Sequence, residues 1–140
     1  MNDSDIEAWN NFVMNSDPHL PNVGQSFRDA AISNVFGNLS NNGGLNSFLT
    51  STYDLDASDV LAALQRIGAD IAANQLRLIL DGIDVSLPVS TQDERWELLD
   101  RYWTDDLDEI ETLGVEADKQ LTAILQKHVA ENKTYYSSLK

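Results

Sequence analysis

Cysteine is absent from the 140-residue sequence, and histidine occurs only at His19 and His128. A disulfide framework and a thiolate metal site are therefore excluded. Basic residues are scarce. Nine Lys and Arg stand against 23 Asp and Glu, a formal net charge of −14 with a sequence pI near 4.1. A surface of this sign repels nucleic acid and anionic membranes and steers basic partners toward itself, so neither direct nucleic-acid binding nor membrane attachment is expected. No segment approaches about 18 uninterrupted apolar residues, and the acidic start MNDSDIEAWNNFV lacks the basic and apolar regions of a signal peptide. A soluble, cytoplasmic protein is the expectation. Acidity of this degree also has a simpler explanation, namely solubility or adaptation to a salty cytoplasm.

Period-2 alternation of the kind a half-buried strand needs is missing, and apolar spacing is helical almost throughout. The sequence predicts an all-α fold: a single domain over residues 1–140 with about seven or eight helices, frayed over 1–5 and 132–140. A first helix spans Ile6 to Met14, and the segment DPHLPNVG breaks it because Pro18 and Pro21 remove backbone donors. A second runs from Gly24 to Asn41, with Arg28, Ile32, Val35, Phe36 and Leu39 on a core-facing stripe. The run NLSNNGGLNSF then reads as a corner. Gly43 or Gly44 supplies the left-handed residue that closes a helix, Asn41 or Asn42 can adopt the same conformation, and a new helix starts at Leu45.

Beyond the corner, Asp56 or Ser58 caps a helix bearing Val60, Leu61, Leu64 and Ile67, which Gly68 ends. Asp70 caps the next, with Ile71, Leu76, Ile79 and Leu80. Thr91 and Glu94 have capping-box spacing and open a helix with Trp96, Leu99 and Trp103 on one face. A short helix carries Leu107, Ile110 and Leu113, and a last one Val115, Leu121, Ile124, Leu125 and Val129.

Candidate chemistry is thin. The double glycine lacks the Lys-Ser/Thr and the preceding strand of a phosphate cradle. Asp54, Asp56 and Ser58 match the first ligands of a calcium loop, but Asp59 and Gln65 stand where glycine and glutamate are required. The run DDLDE at Asp105 to Glu109 resembles the aspartate-rich magnesium site of helical prenyl-chain enzymes, whose cavity exceeds what this chain can enclose. His19 lies in a Pro-rich loop. His128 lies near a helix C-terminus, where a protonated imidazole is favourable for structural reasons. The three tryptophans fall on apolar helix faces. No enzyme, metal or cofactor is expected.

The negative charge is unevenly placed. Between Asp93 and Asp118 eleven acids face only Arg95 and Arg101, a net of −9 out of −14. At about 100° per residue Asp93, Glu94, Glu97 and Asp100 share one sector of roughly 120°, while Trp96, Leu99 and Trp103 cluster on another. Carboxylates three or four residues apart lie about 5–6 Å apart along the axis, while duplex DNA carries one charge per ~1.7 Å. One ridge is too sparse to imitate DNA, so two or more helices must contribute, with Asp105, Asp106, Asp108, Glu109 and Glu111, and also Asp54, Asp56 and Asp59, as candidates for the rest.

The order and spacing of Asn41-Asn-Gly-Gly-Leu-Asn-Ser-Phe-Leu49, Ala63-Leu-Gln-Arg-Ile-Gly-Ala69 and Asp100-Arg-Tyr-Trp-Thr-Asp-Asp-Leu107 resemble a bacterial all-helical family related to DNA-mimic proteins. The resemblance covers Val35 to Val129. Asn41, Asn42, Gly43, Gly44, Phe48 and Gly68 carry its structural motif, although Leu45, Ser47-Phe48-Leu49 and Ser51 depart from the family's usual aromatic pattern. It implies a non-enzymatic protein whose acidic face occupies the DNA-binding surface of a basic, nucleic-acid-binding transcription regulator. An immunity protein that neutralises a basic nuclease toxin would use the same physics, and a small metal-dependent enzyme built on Asp105–Glu109 is the alternative of another class.

Overall fold

The computed structural model describes residues 2–18, 23–49, 57–83, 97, 100, 105 and 114–138, with side chains at 41–49 and 82–83 left undescribed. Among the described residues there are six helices and no strand: α1 (Asp3–Asn15), α2 (Gln25–Leu49), α3 (Ala57–Ile67), α4 (Asp70–Ile83), α5 (Gly114–Glu131) and α6 (Lys133–Ser138). The all-α expectation holds, and Glu97, Asp100 and Asp105 are helical outside these six elements. The segments expected to hold Trp96, Trp103 and Leu107 lie outside the described residues.

Helix α2 forms the spine. Every residue from Asp29 to Phe36 is buried, the polar Asp29, Ser33 and Asn34 included, so this stretch of the helix is enclosed by neighbours on all sides. It packs on α3 and α5, and α5 in turn touches α1, α4 and α6. One hydrophobic cluster joins all six helices, from Phe12 through Phe36, Leu64, Leu76 and Leu125 to Tyr136. The close approach of α2 to α5 requires a small residue at Gly37, where an added Cβ would stand 3.2 Å from Leu121 Cδ2.

The expected corner at Gly43-Gly44 is not there. Helix α2 runs unbroken through Asn41, Asn42, Gly43 and Gly44 to Leu49 and includes Phe48. A helical glycine costs only about 1 kcal/mol relative to alanine, and packing of a long central helix outweighs two such costs. The corner falls instead at Gly68, where φ is +84°. Gly68 N–H donates to Gln65 O at 3.2 Å and Ala69 N–H to Leu64 O at 2.9 Å, the paired bonds of a Schellman cap. Ala69 and Leu64 are both fully buried beneath it. Nothing lies within 4 Å of an added Cβ there, so Gly68→Ala is expected to cost about 1–2 kcal/mol through backbone conformation alone. Thermal melts of that variant against Gly68→Asn, which tolerates the left-handed region better, check it.

Two further expectations are corrected. Asp70 is the first residue of α4 rather than its cap, and the free Ile71 N–H at that end donates to Gln120 Oε1 of α5 at 2.8 Å. The C-terminal stretch expected to fray is ordered as α6 through Ser138, because Tyr136 is buried against Phe12 with ring centroids 5.2 Å apart. At the other end Asn2 caps α1: its Oδ1 accepts from Asp5 N–H at 2.9 Å, and Asp5 Oδ2 accepts from Asn2 N–H at 3.2 Å. The two ends are clasped together. Lys133 Nζ donates to Asp5 Oδ1 at 2.9 Å and to Ser4 Oγ at 3.1 Å, and Asn11 Nδ2 donates to Tyr136 O at 3.0 Å.

Candidate partner-binding surface

Of the nine acids assigned to a partner-binding face, Glu97, Asp100 and Asp105 are described, and all three are helical and exposed. Asp93, Glu94, Asp106, Asp108, Glu109 and Glu111 lie outside the described residues. The ion pairs among the described residues join other side chains. Arg66 pairs with Asp29, Arg77 with Asp81 at 3.7 Å, Lys119 with Glu116 at 3.9 Å, and Lys133 with Asp5. The Arg77 and Lys119 pairs join exposed side chains at long range and contribute little.

The pair between Arg66 and Asp29 is of a different kind. The Asp29 side chain is only 3% exposed. Its Oδ2 accepts from Arg66 Nε and its Oδ1 from Arg66 Nη2, both at 2.9 Å, and Oδ1 also accepts from Gln25 Nε2 at 2.8 Å. The bidentate bond with Asp29 raises the already high pKa of the Arg66 guanidinium, which keeps the tie between α2 and α3 charged. Sequence reasoning placed Arg28 on the core stripe and gave Asp29 no role. An i, i+4 spacing of Gln25 and Asp29 was visible, but the decisive donor lies 37 residues away.

Candidate catalytic groups do not converge among the described residues. His19, Asp54 and Asp56 fall outside them, and Ser58 is exposed in the first turn of α3. No group of three or more metal-ligating side chains occurs among the described residues. Trp9 packs against the core, as expected of it, while Trp96 and Trp103 lie outside the described residues.

His128 departs from expectation. Its ring packs edge-on against Phe27 at 5.4 Å, and Nε2 lies 2.7 Å from the Tyr136 hydroxyl. Burial lowers its pKa, with the Glu131 carboxylate offsetting part of that effect, so desolvation outweighs the helix C-terminus that was expected to favour the protonated ring. Burial likewise pushes the Tyr136 phenol upward. The unfolded chain then takes up a proton at His128 more readily than the folded one. Stability from this group is full above about pH 6.5 and is lost as pH falls below that value toward the folded-state pKa. Thermal melts should show a decline on acidification from about pH 6.5 that His128→Gln flattens. Asp5 acts in a separate window: its bonds from Lys133 and Asn2 hold its carboxyl below the ordinary 3.8, so its contribution is lost only under more acidic conditions.

Among the described residues, no helix is long and apolar enough to cross a membrane. No curated protein and no solved structure matches the chain. A family model described as DMP19-like protein matches residues 25–132, which takes in α2 to α5 and leaves α1 and α6 outside. That match covers well over half of the sequence and agrees with the resemblance carried by the Asn-Gly-Gly and Ile-Gly-Ala segments, so the chain belongs to the DMP19-like family, a DNA-mimic type of helical domain.

Proposed function

We propose that this protein is a non-enzymatic cytoplasmic DNA mimic. It binds a basic DNA-binding protein, such as a bacterial transcription regulator, across the surface that would otherwise hold DNA. The observation that carries this reading is the crowding of eleven acids against two arginines between Asp93 and Asp118. Membership of the DMP19-like family supports it, as does the exposure of Glu97, Asp100 and Asp105. An acidic ridge that served solubility alone would have no reason to gather in less than one fifth of the chain, because like charges three or four residues apart weaken a helix.

The test is competition. Basic proteins captured from lysate at low salt are identified by mass spectrometry, and each is bound to a labelled DNA duplex. Addition of this protein should release the duplex. The triple variant Glu97→Lys, Asp100→Lys, Asp105→Lys should leave it bound, provided circular dichroism shows the variant folded. Capture without release of DNA would end the mimic reading.

A further inference from the structure

The outer side of α1 carries apolar residues that stay in contact with water. Ile6 is 44% exposed, Val13 36% and Met14 81%, while Trp9 beside them is half-buried against the core. At about 100° per residue Trp9, Val13 and Ile6 follow one another around the helix within roughly 60°, and Asn10, Asp3 and Glu7 come next. Helix α1 contains three acids and no basic residue. Along the other edge of the stripe a cavity of about 270 Å³ separates α1 from α5, floored by Ala8, Trp9, Val129 and Ala130 and rimmed by Lys127. The groove is thus apolar at its base, acidic along the α1 rim and positive at one point on the α5 rim. Asp5 adds nothing to the balance, because Lys133 already holds it.

We infer that this groove docks an amphipathic helix of a partner protein, with apolar side chains seated between α1 and α5 and a lysine- or arginine-bearing flank lying along Asp3 and Glu7. Helix-in-groove recognition needs anchors at about i, i+3, i+4 and i+7, and the stripe offers two turns of matching length. The other occupants fit less well. A second copy placed by two-fold symmetry would set α1, with three acids and no basic residue, against another α1 of the same charge, and a membrane-surface helix needs lysine and arginine flanking its apolar face where α1 has acids. One wall of the site, α1, lies outside the segment matched by the family model, and the other, α5, lies within it. The site shares with the mimic reading only the sign of the partner's charge, and it stands or falls separately.

Calorimetry with the full chain and two synthetic peptides of about 16 residues tests it. Both carry the same leucine stripe, one flanked by lysine and the other by glutamate. The lysine peptide should bind saturably at one-to-one ratio and the glutamate peptide at least about tenfold more weakly. Ile6→Ser with Val13→Ser, both at exposed positions, should weaken the lysine peptide at least about tenfold with the helical content unchanged. The Glu97, Asp100, Asp105 reversal variant should bind it as the parent does, which separates this groove from the acidic segment. Equal binding of the two peptides, indifference to the Ile6 and Val13 changes, or loss of the interaction in the reversal variant would overturn the proposal. So would burial of the stripe by self-association in sedimentation, or binding to neutral phosphatidylcholine vesicles that the double variant abolishes.

Discussion

Arg66→Ala is expected to lower stability by about 3 kcal/mol, read as a drop in the urea midpoint at unchanged slope. The change removes two of the three donors to a carboxylate that is 3% exposed. The remaining donor, Gln25, cannot neutralise it. Breaking a buried ion pair by deleting one partner costs about 3–5 kcal/mol, and the lower end applies because the Arg66 side chain is itself 48% exposed and water can approach the vacated place. Arg66→Lys should recover only part of the loss, since an ammonium cannot reproduce the fork that spans both oxygens. Combining Arg66→Met with Asp29→Leu should recover most of it, because the cost lies in the stranded charge rather than in the lost attraction. A drop below about 1 kcal/mol in the single variant would mean that Asp29 is reached by solvent.

The larger effect is expected on association. If the acidic segment replaces DNA on a basic surface, the complex should obey the same electrolyte dependence. With about 6–10 contacts, affinity should fall by about 10³–10⁵ between 50 and 200 mM salt. Reversal of Glu97, Asp100 and Asp105 turns three attractions into repulsions. It should abolish measurable binding at the higher salt and flatten the slope at the lower one. Titrations over a salt series check both. A complex that is insensitive to salt would place the binding energy in apolar contacts and remove the acidic segment from the interface.

These two expectations differ in how far the sequence alone could reach them. The crowding of acids between Asp93 and Asp118 is a property of composition and was legible at once. The Asp29 tie was not, because an aspartate three residues from Ile32 in a helical pattern looks like a solvent-facing residue until Arg66 is placed opposite it. Gly68 was legible because a Schellman cap is local, requiring only a glycine after an apolar period and a buried residue beyond it. Gly43 and Gly44 misled for the converse reason: their propensity is local, while the continuity of α2 is decided by the helices around it. Tyr136 was read as part of a polar tail because its neighbours are polar, yet a single aromatic that fills the space against Phe12 and Phe27 suffices to order six residues. His128 was misjudged through its surroundings, since burial cannot be inferred from position along a helix.

The clasp between α1 and α6 joins residues more than 120 positions apart. Loop-closure cost rises only slowly with separation, and α5, which touches both helices, carries the two ends together. The clasp is held by the buried Phe12–Tyr136 ring contact and by a few side-chain bonds at its edge. A tether pulling on both ends of the protein would load that seam before any other, and parting it would uncover the Phe12 ring while leaving α2, α3 and α4 packed together.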